Sequence, residues 1–162
     1  MTMNKDKLFS YHKWASQACL EHVQTLGEEY YIKEGANSFS SIQETTEHVL
    51  GVEKLWLLRM SGVANPTFEH FDVETNEKAK QAFMFLHANM DEFFASLTES
   101  EWQETLHYKN MRGDAFSTTR EEMLFTIVNH ASYHRGQVTS LLRQFGKEGI
   151  ALDYIYYQKE NR

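Results

Sequence analysis

Four stretches of the chain carry apolar residues at intervals of three and four positions, which is the spacing of one face of an α-helix. Their predicted bounds are 5–26, 41–60, 76–97 and 119–145. Each stretch is long enough for several turns and ends close to a glycine or an irregular segment. Four amphipathic helices of this length predict an all-α protein with the architecture of a four-helix bundle.

The starts of the second and fourth helices are marked by capping boxes, in which a hydroxyl and a carboxylate satisfy each other's backbone amides. Ser41 and Glu44 have this spacing, and so do the threonines at 118–119 with the acidic residues at 121–122. Gly146 follows the fourth helix, where a glycine commonly ends a helix in the left-handed conformation. These signals fix two of the predicted helix starts and one end.

The two longest connections are also informative about function. The segments 62–75 and 98–118 exceed the 2–8 residues that are usual between bundle helices, and we interpret the second as a long loop or a short hairpin. Loops of this kind often cover a binding site. The aromatic tail at 152–157 is expected to pack back as a short turn or helix. We therefore predict a single domain over 1–162, with long loops after its second and third helices.

Composition narrows the class of protein. A length of 162 residues with 41% hydrophobic residues suits one domain with a sizeable core. The single cysteine, Cys19, rules out an intrachain disulfide and favours a reducing compartment. No apolar run has the length of a signal peptide or a membrane span, and a net charge of −7 without a basic cluster disfavours nucleic acid as a partner. A cytoplasmic protein that binds neither membrane nor nucleic acid is expected.

Two histidines on the fourth helix are the first candidates for chemistry. His130 and His134 are four residues apart, so their rings project from the same face and can share one ion. They continue the apolar stripe that includes Met123, Ile127 and Leu141. Two neighbouring buried imidazoles are hard to satisfy without a metal or acidic partners. The alternative is a pair of core histidines bonded to carboxylates or to the backbone.

A third histidine on another helix extends this candidate site. His48 follows the capping box of the second helix and shares a face with Val52 and Leu55. A lone histidine on an apolar face is usually structural, but facing helices of a bundle are where metal sites are built. Three histidines would leave a coordination position open, which is the arrangement of catalytic rather than structural zinc. We therefore predict a divalent metal, zinc or nickel, on His48, His130 and His134.

Four other residues are weaker candidates. Glu44 could add a fourth ligand, although its capping role is the simpler interpretation. His22 is interpreted as core or pocket wall rather than catalytic, and Cys19 as a small buried residue rather than a nucleophile. Arg135 could neutralise an anionic substrate or lie at the surface or an interface.

Several other site classes lack their sequence signature. The chain has no His-Glu-x-x-His motif of zinc proteases. A ferritin-like di-iron site needs two Glu-x-x-His pairs on core helices, and only Glu104 with His107 fits, in the irregular segment. Neither a glycine-rich phosphate loop nor a Gly-x-Ser-x-Gly elbow is present. The histidine site is left as the principal candidate.

The runs that contain these histidines resemble a known family. The run SIQETTEH at 41–48, with Glu53 and Trp56 after it, is similar to the second helix of the DinB/YfiT-like family of metal-binding four-helix proteins. The run NHASYHRGQ at 129–137 resembles the fourth helix of that family and is the most specific part of the likeness.

The resemblance covers nearly the whole chain. The run YHKWAS at 11–16 is similar to the family's first helix except at Ser16, where asparagine is common, and 153–157 resembles its C-terminal segment. The resemblance implies three histidine ligands and often a homodimer. Some members are S-transferases or isomerases that use a low-molecular-weight thiol such as bacillithiol, mycothiol or glutathione.

An open metal site supports two reactions, because the ion can ionise a bound thiol or a bound water. The first leads to S-transfer and the second to hydrolysis of a small molecule. The resemblance favours a thiol-dependent S-transferase, and a hydrolase is the second enzymatic interpretation. The alternative from a different class is a non-catalytic metal-binding or stress-induced protein, whose ion only holds two helices together.

Overall fold

The four predicted helices form close to their predicted bounds. They are α1 (Lys5–Leu26), α3 (Ile42–Met60), α4 (Asn76–Ser96) and α6 (Arg120–Gln144). The structure is a computed structural model, and it describes residues 4–63, 65–110 and 112–160. The expected four-helix bundle is confirmed.

The helix caps explain where two of these helices begin. Thr119 and Glu122 form the complete reciprocal box at the start of α6. At the start of α3 the Ser41 hydroxyl accepts from the amide of Glu44 at 3.1 Å, as predicted. The Glu44 carboxylate, however, accepts from the amide and the hydroxyl of Ser40, each at 2.9 Å, and not from the amide of Ser41. The predicted box at α3 is therefore only half formed, and its return bond falls one residue earlier.

α6 is terminated by a glycine in the left-handed conformation, as the sequence predicted. Gly146 has a φ of 73°, in the left-handed region that a glycine adopts without steric cost. The amide of Lys147 donates to the carbonyl of Leu142 at 2.8 Å, which closes the last turn. The predicted end of the fourth helix is confirmed.

The long helices enclose one core. α1 packs against α4 and α6, and α3 packs against the same two helices. Each of these helices therefore contributes one face to the interior. Each fully buried Leu or Ile side chain contributes about 1.5–3 kcal/mol to the stability of the fold. The largest apolar side chains with almost no exposure come from α3, α4 and α6, together with Tyr31: Ile42, Leu50, Met60, Leu86, Met90, Met123, Leu124, Ile127, Leu141 and Leu142.

The connections contain short elements of their own. α2 (Glu28–Ile32) follows α1, and α5 (Glu99–Gln103) follows α4. The strands β1 (Thr105–Lys109) and β2 (Ala115–Thr119) form an antiparallel hairpin in the segment that was predicted as a loop or a hairpin. The segment 62–75 contains no helix or strand among its described residues.

The C-terminal segment packs back on the first helix. It contains α7 (Tyr154–Glu160), as the aromatic tail predicted. The Tyr11 hydroxyl donates to the carbonyl of Leu152 at 3.0 Å, and the Trp14 indole donates to Glu160 at 2.8 Å. Within the described residues, none of the helices combines the length and the apolar character that crossing a membrane requires.

Candidate metal centre

The three predicted histidines meet at the contact between α3 and α6. His48 is on α3, and His130 and His134 lie one turn apart on α6. The ring centroids of His130 and His134 are 4.4 Å apart, and that of His48 is 5.1 and 4.7 Å from them. His134 is buried, while His48 and His130 are half-buried. The bundle thus gathers these three rings from two helices.

The ring nitrogens converge more closely than the rings. Nε2 of His130 lies 3.2 Å from Nε2 of His48 and 3.1 Å from Nε2 of His134. One ring nitrogen in the plane of an imidazole cannot pair with both neighbours through a single proton. Three nitrogens bound to one zinc at 2.0–2.1 Å in tetrahedral geometry would be separated by about 3.3 Å. The donor set and its spacing therefore fit one divalent ion.

The protonation state of the three rings also suits the binding of a divalent ion. Burial, together with the neighbouring His134 and His48, lowers the pKa of His130 to about 4. Burial also lowers the pKa of His48 and of His134 from their ordinary value. Near neutral pH the imidazoles are thus uncharged, which is the form that binds metals.

A hydrogen bond orients one of these rings. Nδ1 of His134 donates to Oε1 of Gln137 at 2.7 Å, and Nε2 of Gln137 donates to the hydroxyl of Ser38 at 3.0 Å. With its proton on Nδ1, His134 presents a free lone pair on Nε2. Partners of this kind are usual for metal-binding histidines and fix both the tautomer and the direction of the ring.

Two aromatic rings border the histidine group. The ring centroid of Phe39 is 4.5 Å from that of His48 and 5.8 Å from that of His134. Phe68 stacks 6.4 Å from His48. Phe39 precedes α3, and Phe68 belongs to the segment 62–75, so one of the two long connections reaches this site.

The Phe68 loop is held to α3 at two points. Gly51 allows the ring of Phe68 to lie directly on the helix, since a Cβ at that position would overlap the ring. Nδ1 of His70 is 2.7 Å from the Glu47 carboxylate, next to His48 in sequence. These contacts keep an aromatic side chain beside the ring of His48.

Arg135 lies inside the bundle, so its interpretation as a surface or interface residue is wrong. It is only 8% exposed and donates to the hydroxyls of Ser132 and Ser16 at 2.8 and 3.3 Å. With His134 and Cys19 it lines an internal cavity of about 30 Å³. Such a volume holds about one or two waters and excludes a substrate. Ser16, where the family commonly has asparagine, thus contacts this arginine and not the histidines.

The weaker candidates stand apart from the histidine group. The Glu44 carboxylate caps α3 through Ser40 and does not join the three imidazoles. His22 is half-buried, and its Nε2 is 2.8 Å from the carbonyl of Glu148. It is therefore not a core residue, and its alternative interpretation as a pocket wall stays a prediction. Cys19 is buried as predicted, and burial raises the pKa of its thiol to about 11, which leaves it unreactive near neutral pH.

Phe39 and Phe68 are the residues of this site that the sequence did not reveal. Both lie in irregular segments, where no periodicity reports which side chain turns inward. Gly51, which has no side chain and lies in the middle of a helix, was a usable signal, because glycine there often marks a close approach by another group.

A model of the DinB family matches the chain over residues 1–162. Among curated proteins, Protein DinB of Bacillus subtilis (strain 168) is 29% identical over 157 residues, which cover 93% of this chain and 91% of that protein.

Solved structures show the same fold at lower identity. A DinB-like protein from Bacillus cereus superimposes with a TM-score of 0.68 at 17% identity, covering 88% of this chain and 91% of that one. YfiT from Bacillus subtilis gives a TM-score of 0.67 at 14% identity, covering 91% and 92%. YfiT is described as a probable metal-dependent hydrolase with an unusual four-helix bundle topology.

Proposed function

The chain belongs to the DinB family, and from that premise we propose that it is an enzyme dependent on a divalent metal ion, zinc or nickel, held by His48, His130 and His134. The observation that carries this proposal is the convergence of three Nε2 atoms, with separations of 3.1 and 3.2 Å about His130. Imidazole nitrogen suits both metals, and the affinity for such a site is high for each.

The set of donors supports a catalytic rather than a structural ion. Within the described part of the chain, no carboxylate or thiolate joins the three imidazoles. A structural zinc normally has four protein ligands, whereas three leave a position for a small molecule. The non-catalytic alternative is therefore less well supported.

The substrate would reach the site from the side of the aromatic loops. The internal cavity beside His134 has room for about one or two waters and no more. Phe39 and Phe68 border His48 and do not line that cavity. Their rings offer flat apolar surfaces to a small organic molecule.

We propose thiol-dependent S-transfer as the reaction, with a low-molecular-weight thiol of the bacillithiol type as one substrate. When bound, the ion would lower the pKa of a thiol enough to ionise it, and that of water to about 7. The chain places no carboxylate among the imidazoles to serve as a general base, within its described residues. A thiol needs such a base less than water does. The sulfur would attack an electrophilic carbon, a C–S bond would form, and the leaving group would depart with its electron pair.

Hydrolysis of a small molecule is the second candidate, because YfiT is described as a probable metal-dependent hydrolase. The two reactions share the metal site and differ in the nucleophile.

One experiment distinguishes S-transfer, hydrolysis and non-catalytic metal binding. The purified chain, loaded with Zn(II) or Ni(II), is incubated with a small thiol and an alkyl halide, and separately with a chromogenic acetate ester. If the reaction is S-transfer, we expect metal-dependent loss of thiol together with release of halide. His130→Ala should lack this activity. His107→Gln, whose histidine lies on the exposed hairpin, should retain it. Ester cleavage alone would favour the hydrolase. Tight metal binding with neither reaction would favour the non-catalytic protein.

A further inference from the structure

A second group of polar side chains lies in the core and shares no residue with the three histidines of the metal centre. His12 on α1, Glu53 on α3 and His87 on α4 come together where these helices meet. Nε2 of His12 is 3.0 Å from one Glu53 oxygen, and Nε2 of His87 is 3.0 Å from the other. His12 and Glu53 have no exposed surface, and His87 is 5% exposed.

Hydrogen bonding accounts for only half of this cluster. The contact between His87 and Glu53 has the geometry of a hydrogen bond. Nε2 of His12 and Oε1 of Glu53 do not, so two buried polar atoms lie at contact distance without being aligned as donor and acceptor. An unpaired buried polar atom destabilises the fold, because it has lost its hydrogen bonds to water. Two ligands of one cation show this relationship, because each directs its lone pair at the ion and not at the other.

The charges in the cluster favour a cation. Burial alone would raise the pKa of Glu53, but the adjoining His12 and His87 lower it below its ordinary value, so the carboxylate is ionised. Burial lowers the pKa of His12 below its ordinary value; the Glu53 carboxylate opposes this effect, and His87 and Arg135 add to it. A neutral imidazole beside a carboxylate is the ligand-competent state of such a cluster.

We propose that His12, Glu53 and His87 form a second binding site for a divalent first-row transition-metal ion. Two histidines and one carboxylate are the donor set of non-haem Fe(II) sites and also suit zinc. The site is separate from the first, because Glu53 is five residues beyond His48, which turns it about 140° around α3 at 3.6 residues per turn. His87 also lines an open groove between α1 and α4, with Lys13, Trp14 and Met84, and this groove gives an ion its access route.

The test is metal stoichiometry, which does not depend on any enzymatic activity. The chain, its His130→Ala, His87→Gln and doubly substituted variants are dialysed against Zn(II), and bound metal per chain is measured by mass spectrometry. The proposal predicts two ions for the unsubstituted chain, one for each single variant and none for the double variant. His107→Gln, an exposed histidine bonded to Ser117, is the matched control and should retain two.

The outcomes distinguish the two sites. One ion in the unsubstituted chain, kept in His87→Gln and lost in His130→Ala, would overturn the second site and leave the first. One ion that is lost in His87→Gln and kept in His130→Ala would support the second site and contradict the first.

Cobalt substitution tests the carboxylate. Co(II) bound to His130→Ala should give visible d–d absorption that disappears in His130→Ala with Glu53→Gln, which preserves the size of the side chain. If circular dichroism shows that the Glu53 variant is unfolded, His130→Ala with His87→Gln takes its place. Unchanged absorption in a folded double variant would rule out ligation by the cluster.

Discussion

The ring of Phe68 lies against the bare backbone of Gly51, three residues beyond His48 on the same face of α3. Glycine in the middle of a helix costs about 1 kcal/mol relative to alanine. Here the missing side chain allows the loop that follows α3 to place an aromatic ring beside a proposed metal ligand. The sequence of the helix thus helps to determine the position of the loop.

Gly51→Ala should displace Phe68. A methyl group at this position overlaps the ring, and overpacking of this kind typically costs about 1–3 kcal/mol, more than the gain in helix propensity. We expect a lower melting temperature and faster proteolysis within 62–75. We also expect a chelator to remove bound zinc more quickly, because the approach to His48 is less covered.

Gly136→Ala is the matched control for this substitution. Gly136 is also in a helix, two residues beyond His134, but a Cβ there would meet no atom within 4 Å. This variant should be as stable as the unsubstituted chain or gain up to about 1 kcal/mol. Equal melting temperatures and equal rates of zinc release for the two variants would contradict the role assigned to Gly51.

Substitution of any one histidine of the metal centre by alanine should weaken the binding of the ion at that centre. In the proposed site the ion bridges two helices, so His48→Ala should have as large an effect as His130→Ala or His134→Ala. In the unsubstituted chain, metal at a free concentration of 100 times its Kd should stabilise the fold by about 2.7 kcal/mol. Scanning calorimetry with and without chelator measures this gain. Undiminished affinity in His48→Ala would show that the three-histidine site is wrong.

The metal-free chain should lose stability as the pH falls from 6.5 towards 4. The pKa of His130 drops from 6.5 to about 4 in the folded state, and those of His48 and His134 are also lowered. The unfolded chain therefore binds more protons in this range, and protons favour unfolding. Melting temperatures measured between pH 7 and 5 should decrease in chelator, with a shallower slope for His130→Ala. A melting temperature that does not change over this range would contradict neutral buried imidazoles.

The helices and the three histidines could be predicted because their signals are local. Apolar spacing and caps define the helices, and the i,i+4 spacing of His130 and His134 requires only that they lie on one. His48 was added because it shares an apolar face of the second helix, and the resemblance supported it. The positions of Phe39 and Phe68 depend on contacts between distant segments, so no local pattern reports them.

The buried polar residues were missed for a related reason. Arg135 resembles a surface residue because arginine is rarely buried, and only the folded chain shows the hydroxyls of Ser16 and Ser132 beside it. Likewise, Glu53 and His87 each replace one member of an apolar stripe, and their proximity follows from the order of the helices around the bundle.

A homodimer remains a prediction. α4 exposes Met84 and Phe85, at 63% and 69%, and adjoining exposed apolar residues commonly mark an interface. Light scattering at micromolar concentration should give twice the chain mass of 19.0 kDa. Replacing both residues by serine should shift the mass towards the monomer if this face is the interface. A monomer mass for the unsubstituted chain would contradict the prediction.

Gln137→Ala should weaken metal binding although Gln137 is not itself a proposed ligand. Its Oε1 accepts the Nδ1 proton of His134 at 2.7 Å, which leaves Nε2 free for the ion. Loss of such a partner typically lowers metal affinity about 10- to 100-fold. Competition with a chromogenic chelator measures the change. The effect should appear in affinity with little change in melting temperature of the metal-free chain.

Gln144→Ala provides the control, because both glutamines tie the segment before α3 to α6. Gln137 donates to Ser38 at 3.0 Å, and Gln144 exchanges two hydrogen bonds with the backbone of Ala36 at 2.9 and 3.1 Å. Only Gln137 also contacts a histidine of the metal centre. If Gln144→Ala lowers zinc affinity as much as Gln137→Ala, anchoring of the loop explains the effect and orientation of His134 does not. A loss confined to Gln137→Ala, with Gln144→Ala close to the unsubstituted chain, would assign it to the imidazole.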